Sequence, residues 1–318
     1  MTGAPTMEDL AQEYLALRRQ LGYALHSTGQ QLLAFARYAD GLEHHGPITV
    51  ELAVRWARLP RGARAQWWAR RLQIVRGFAQ HRRLFEPATE IPPANLLGPH
   101  FRRGTPHIYS DAEISALLCA AGALGPAGGL RAHTYVTLLG LLVTSGLRIS
   151  EALHLGRDDV DLQSGVLTVV RTKFRKSRLV PLHPSTTQAL ARYAEHRDRC
   201  HPQAAARAVF LNERGAPLGV SGVAHTFGIL RRQLGWTKNR EGRRPRLHDM
   251  RHTMAVRTLL RWYQEGADVD RKILALATYL GHVEVADTYW YLTAVPELMV
   301  LTAARFQAYT RRSPRGMR

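Results

Sequence analysis

The chain has 318 residues, 45% of them hydrophobic, and its 44 Lys plus Arg against 25 Asp plus Glu give a formal charge of +19. That length favours two domains over one, and positive charge spread over patterned segments points to a polyanion, nucleic acid above all. With only Cys119 and Cys200, each in an ordinary helical stretch, the sequence suggests neither a disulfide scaffold nor a thiolate zinc site. The N-terminus, MTGAPTMEDLAQEYL, lacks the order of a signal peptide, and the longest apolar run, Val136 to Val143, is far too short to span a bilayer. A soluble cytoplasmic protein associated with the nucleoid is expected, with no membrane partner.

Taken in chain order, Thr6 to Asp9 cap a first predicted helix whose apolar face is Leu10, Tyr14, Leu17 and Leu21, ended by Gly22. Ser27-Thr28-Gly29-Gln30 has the form of a capping box for a second, with Leu32, Leu33, Phe35 and Ala36 inside. A third runs from about Thr49 to Leu59 and stops at Pro60. A fourth, from about Gly62 to Arg83, buries Trp68, Leu72, Val75 and Phe78 and carries Arg61, Arg64, Arg70, Arg71, Arg76, Arg82 and Arg83 on its flanks. Residues 1–86 thus form a basic, all-helical first domain. Residues 87–108 contain Pro87, Pro92, Pro93, Pro99 and Pro106 with little periodicity, and read as an extended linker.

The second domain, residues 109–318, opens on the capping box Ser110-Asp111-Ala112-Glu113, ahead of Ile114, Leu117 and Leu118. A long apolar helix from about Arg131 to Ser145 breaks at Gly146. Between Gly165 and His183 the period changes to two: Val166, Thr168 and Val170 alternate with Leu167 and Val169, and Leu179-Val180-Pro181-Leu182 is a second β-prone run. A hairpin with RTKFRKS at its tip is predicted. Ser185-Thr186-Thr187-Gln188 caps the next helix, and from Gly222 onward the pattern is helical, with loops near Lys238 to Arg244 and at Gly281. The fold class is therefore mainly α with a small β-hairpin or sheet.

Residues 247–253, LHDMRHT, place two histidines four apart beside a carboxylate, close to the H-E-x-x-H zinc pattern. Zinc fits poorly. Asp249 is one methylene shorter than the general-base glutamate, and Arg251 sets a fixed cation on the same turn. Phosphate explains more. Arg148 stands in TSGLRISE, where a glycine break precedes a new helix whose free N–H groups favour anions. Lys173 lies at the hairpin tip, His282 follows Leu280-Gly281 in a turn, and Tyr291 comes nine residues later.

This set resembles the tyrosine recombinase, or phage integrase, family, over roughly residues 107–295. The residues stand in family order: Arg148 in TSGLRISEAL, Lys173 in RTKFRKSRLVPL, the H-x-x-R pair His248 and Arg251, His282 in YLGH, and Tyr291 as nucleophile. Thr172 and Phe174 flank the lysine where the family usually has glycine. The chemistry accounts for these residue types. Attack on a phosphodiester builds charge on nonbridging oxygens, which paired hydrogen bonds from planar guanidiniums match, so Arg148 and Arg251 form the clamp. A phenol, with its reference pKa of about 10, needs nearby positive charge and a proton acceptor, and His248 is the candidate acceptor. The resemblance implies that Lys173 protonates the leaving 5′-oxygen and that His282 holds the phosphate. It also implies a 3′-phosphotyrosyl link and a free 5′-hydroxyl, with no metal, ATP or other cofactor.

Asp249 is read as a solvated or helix-stabilising carboxylate, Glu151 as a brace for a nearby cation, and His252 as a packed or hydrogen-bonded supporting residue. Tyr289 and Tyr279 are the rivals of Tyr291, whose spacing from His282 selects it. By the resemblance the helical first domain is a core-binding domain that, with the mixed α+β tyrosine-recombinase catalytic domain, clamps double-stranded DNA. The segment LMVLTAARFQAY beyond Pro296, followed by Arg311, Arg312 and Arg315, has the pattern of a tail helix that docks on a neighbour in a homotetramer on two DNA sites, or folds back on its own domain. DTYWYLTAVPELM resembles transposon-associated members more than chromosome-dimer resolvases. Two other readings stay open: a DNA-relaxing enzyme of the type IB topoisomerase kind, and a catalytically idle DNA-binding regulator of the same fold.

Overall fold

The computed structural model describes residues 5–99, 104–170, 177–202, 206–238, 242–282 and 284–294, with residues 292–294 as backbone only. The chain divides into two compact units, Met1–Arg103 and Gly104–Arg318.

In the first unit, α1 (Met7–Gln20), α2 (His26–Asp40), α3 (Val50–Arg58) and α4 (Ala65–Arg82) surround one apolar core. The α1 capping box forms as expected, with the Asp9 N–H donating to Thr6 Oγ1 at 3.1 Å and the Thr6 N–H to Asp9 Oδ2 at 3.0 Å. Its buried face differs from the sequence pattern: Met7, Ala11 and Leu15 are inside, whereas Leu17 and Leu21 are exposed. Small Ala11, and Gly29 on α2 facing Leu15, let the two helices approach along that stripe. The Ser27 capping box does not form. His26 is already helical, so Ser27 lies inside the first turn, and left-handed Leu25 (φ +47°) opens α2 while packing on the core.

Two residues of α4 also trade places with expectation. Trp68 is only half-buried and donates through Nε1 to the Pro60 carbonyl at 3.1 Å. Arg71 is buried, its guanidinium 3.7 Å from the centre of the Trp56 ring and its Nη2 donating to the Trp56 carbonyl at 3.0 Å. Over residues 86–99 the proline-rich stretch is tied to this unit. Thr89 is buried, the Glu90 N–H donates to the Ile48 carbonyl at 2.8 Å, and Glu90 Oε2 accepts from Val50 at 2.6 Å.

The second unit is organised around α6 (Leu130–Ser145), which buries Leu138, Leu139, Leu141 and Leu142. Each such leucine contributes about 1.5–3 kcal/mol relative to exposure. Packed on it are α5 (Asp111–Gly122), α8 (Pro184–Cys200) and α10 (Leu247–Gln264). The short α7 (Ile149–His154) leads into an antiparallel sheet in the order β1 (Val160–Asp161), β2 (Val166–Val169), β3 (Arg178–Pro181). The hairpin was legible; β1, two residues long, was not. Leu167, Val169 and Val180 face the core, and Val169 pairs with Arg178. α8 is capped by His183, whose ring accepts from the Ser185 N–H, and not by Ser185, because Pro184 already occupies the first helical position. α9 (Val220–Gln233) completes this core. α11 (Val269–Leu280) and α12 (Ala286–Ala294) form with α10 a second apolar cluster that includes Tyr291.

Candidate active site

The ends of α6 and α11 and the starts of α7 and α10 bring the site residues together. α6 ends at Gly146, whose φ of +62° suits glycine and whose missing Cβ would stand 3.2 Å from atoms of Leu280 and Met254. Buried Leu147 follows, then Arg148 as the N-cap of α7. Glu151 accepts from the Arg148 backbone N–H at 2.9 Å and from Arg148 Nη1 at 2.8 Å, so one carboxylate both caps the helix and fixes the arginine. The same carboxylate takes a forked pair from Arg178 of β3, at 3.1 and 2.9 Å, while Arg178 Nε donates to the Tyr279 carbonyl at 2.7 Å. Burial raises the Glu151 pKa, but the hydrogen bonds from Arg178 and Arg148 outweigh it and hold the group at about 2.

The second arginine comes from α10. Arg251 is 2% exposed, with Nη1 donating to the Gly146 carbonyl at 2.9 Å and Nη2 to the Leu280 carbonyl at 2.5 Å. Arg148 Nη2 donates to the next carbonyl, that of Gly281, at 3.3 Å. Two guanidiniums therefore sit on consecutive carbonyls at the C-terminal end of α11, where unpaired carbonyls carry partial negative charge. Burial, then the Arg148 charge, draws the Arg251 pKa to about 10, which leaves it cationic at neutral pH. Immediately beyond these carbonyls, His282 binds Thr288 through Nδ1 at 2.7 Å.

His248 and Arg251, three apart on α10, share a face. Asp249 between them is 1% exposed and accepts from Arg246, through the backbone N–H at 2.8 Å and Nη2 at 2.7 Å. It stabilises the helix start, as read from sequence, but it is buried and not solvated. His248 and His252 meet edge to face, with centroids 4.8 Å apart, and His252 Nδ1 lies 3.2 Å from Tyr291 Oη. The His282 ring stacks 6.2 Å from that of Tyr291. Tyr291 is 2% exposed, whereas Tyr289 is 41% exposed.

Burial is the main force on the imidazoles. It lowers His248 to about 4, helped by Arg251; His252 to about 3, helped by His248; and His282 to about 4, helped again by Arg251. His248 retains more solvent exposure than the other two, so water screens its share. All three are neutral at pH 7 and offer lone pairs. Burial raises the Tyr291 hydroxyl pKa, while Arg251 and then Arg148 act against the rise.

Arg148, His248, Arg251, His282 and Tyr291, nominated from short motifs, thus lie together in the structure. Lys173 and the tail segment with Arg311, Arg312 and Arg315 lie outside the described residues. Arg178 escaped the sequence reading as one of several cations near the hairpin tip. The signal was its register: it lies opposite Val169 and two residues before Val180, and alternation puts all three on one face. Among the described residues no group of His, Cys, Asp and Glu could hold a metal ion, and no helix is long and apolar enough to cross a membrane.

Two clamped guanidiniums, three imidazoles and one phenol thus lie on a mainly helical unit with a small sheet. The sequence profile of the phage integrase family matches residues 112–297. y4rB of Sinorhizobium fredii, named as an integrase/recombinase, is 45% identical over 92% of this chain and 95% of its own length. The tyrosine recombinase XerC of Chlamydia caviae is 31% identical over 70% of this chain and 65% of its own. The Tn1549 transposon integrase, solved in complex with a circular intermediate DNA, shares the fold with a TM-score of 0.65 at 19% identity, over 91% of this chain and 95% of that one. The chain belongs to the phage integrase family.

Proposed function

We propose that this recombinase breaks and rejoins duplex DNA through a covalent 3′-phosphotyrosyl intermediate on Tyr291, with neither ATP nor a metal. The observation that carries the reading is the placement of Arg148 and Arg251 on consecutive carbonyls at the α11 end, next to His282 and the buried Tyr291 hydroxyl. A nonbridging phosphate oxygen is the natural ligand of guanidiniums already fixed by the fold, because no reorganisation is needed as charge develops. Removing one such donor typically lowers a rate by about 10²–10³-fold.

In this reading Arg148, Arg251 and His282 hold the scissile phosphate. Tyr291 Oη attacks phosphorus, its proton passes to a neutral imidazole, and the 5′-oxygen leaves with a proton from Lys173, a role assigned by family resemblance. The phosphotyrosyl ester keeps the energy of the broken bond, so a 5′-hydroxyl from another strand can reverse the step. Exchange between two duplexes breaks four strands, and one nucleophile per chain makes a tetramer on two sites the matching assembly. The formal charge of +19 and the arginine-bearing helices of the first unit support double-stranded DNA as substrate and that unit as the core-binding domain. The DNA-bound state of the Tn1549 integrase supports it also.

The test is a plasmid carrying two copies of the sequence that flanks this protein's own gene. Exchange between the copies by the wild type, and none by Tyr291→Phe, is the expected result. Relaxation of supercoils without exchange would favour the topoisomerase-like reading.

A further inference from the structure

We propose that His252 takes hold of the attacking hydroxyl: its Nδ1 accepts a hydrogen bond from Tyr291 Oη in the DNA-free protein and receives the proton when that oxygen attacks phosphorus. The inference rests on Tyr291 being the nucleophile.

A buried hydroxyl needs a protein partner, since water cannot reach it, and Tyr291 is 2% exposed with its Oη 3.2 Å from His252 Nδ1. The partner is held firmly. The His252 ring packs edge-on against His248 at 4.8 Å and Trp290 at 5.5 Å, and it meets the Tyr291 ring at 5.4 Å and 62°. His252 follows Arg251 directly on α10, so acceptor and clamp move as one body while the hydroxyl arrives from α12. Of the two competing imidazoles, His282 has its Nδ1 committed to Thr288 at 2.7 Å, and His248, the acceptor expected from the sequence, meets the His252 ring at 4.8 Å, so the proposal moves that role from His248 to His252.

The step balances without a further reactant. The Oη–H bond breaks as its proton passes to Nδ1, the Oη–P bond forms, the P–O5′ bond breaks, and the leaving oxygen takes the proton of the general acid. An arriving phosphate brings negative charge that favours the imidazolium just as the proton is transferred. On rejoining, Nδ1 returns the proton to the phenolate. His252 must then carry its ground-state hydrogen on Nε2.

Two measurements test this on the full chain. In ¹⁵N-histidine spectra of the DNA-free protein, His252 is expected as the neutral Nε2–H tautomer, with its Nδ1 resonance displaced in Tyr291→Phe; an Nδ1–H tautomer overturns the proposal. On a nicked duplex from the gene flanks, His252→Phe keeps the ring packing but removes the acceptor. It is expected to slow covalent capture by about 100-fold or more at unchanged DNA affinity. His252→Asn keeps an oxygen near the Nδ1 position that can accept the hydrogen bond but cannot take the proton, and is expected to stay as slow as His252→Phe; recovery of the rate by Asn would reduce His252 to a positioning role and overturn the proton transfer. Wild-type capture by His252→Phe overturns the proposal and leaves Tyr291 in place as nucleophile. Capture by Tyr291→Phe overturns the reading beneath it. Should His252→Phe fail to fold, the tautomer measurement decides.

Discussion

Arg178 and Glu151, 27 residues apart in sequence, form a forked ion pair with side chains only 8% and 6% exposed. Through it the start of β3 is bound to the helix that presents Arg148, and through the Tyr279 carbonyl to the end of α11. Arg178 also opens β3, so that strand is anchored to the proposed phosphate clamp.

Removing one member of this pair leaves a buried charge uncompensated. Arg178→Ala is expected to destabilise the second unit by about 3–5 kcal/mol, with Arg178→Ala/Glu151→Ala losing less than the sum of the two single changes. Urea unfolding of the four proteins checks this, and strict additivity would mean that the pair carries no coupling.

Gly281 faces the same arginine. Its φ is +69°, and an added Cβ would stand 2.8 Å from Arg178 Nη1. Gly266, also left-handed at +73°, has open space around it. Gly266→Ala is expected to cost about 1 kcal/mol for backbone conformation alone, and Gly281→Ala a further 1–3 kcal/mol, roughly, for displacing a pinned guanidinium. Gly281→Ala is also expected to slow DNA cleavage, whereas Gly266→Ala is not. Thermal unfolding and cleavage rates measured side by side decide the matter.

The motif residues were legible because each occupies a short contiguous stretch whose chemistry is specific: TSGLRISEAL, HDMRH, YLGH and a tyrosine nine positions later. Arg178 and Arg71 were not. Nothing local separates a cation that pairs across the fold from neighbours that face solvent, and the partners Glu151 and Trp56 come from other elements. The face of α1 was misread because the stripe that packs is set by the small residues Ala11 and Gly29, which a hydrophobicity pattern undervalues. β1 is too short for any period to emerge.

The depressed histidines make stability depend on pH in a defined direction. His252 and His282 have folded pKa values of about 3 and 4, below the ordinary 6.5, so the unfolded chain binds their protons first as pH falls. Their contribution is complete above pH 6.5 and is lost as pH falls from 6.5 to about 4 for His282 and to about 3 for His252, at up to about 1.4 kcal/mol per pH unit for each. Glu151, at about 2 against an ordinary 4.5, adds a further loss between 4.5 and 2. Denaturant titrations at pH 7 and pH 5 are expected to show the decline, and His282→Asn is expected to flatten it. A pH-independent midpoint would contradict these assignments.

Arg251 bridges carbonyls at Gly146 and Leu280, a span that a single ammonium cannot reproduce. Arg251→Lys is therefore expected to lower both stability and cleavage. Arg148 is more exposed, and Arg148→Lys is expected to lower cleavage by about 10²-fold or more with a smaller change in stability. Equal stability losses would place Arg148 and Arg251 in the same structural role.

The central claim, a phenol activated among fixed cations, is tested most directly by identifying the residue joined to DNA. The wild-type protein is incubated with a nicked duplex in excess chelator, and the adduct is digested and sequenced by mass spectrometry. The expected product is Tyr291 bearing a 3′-phosphate nucleotide, undiminished by the chelator. An adduct on Tyr289 or Tyr279, a link to the 5′ end, or capture that requires a divalent ion would contradict the account.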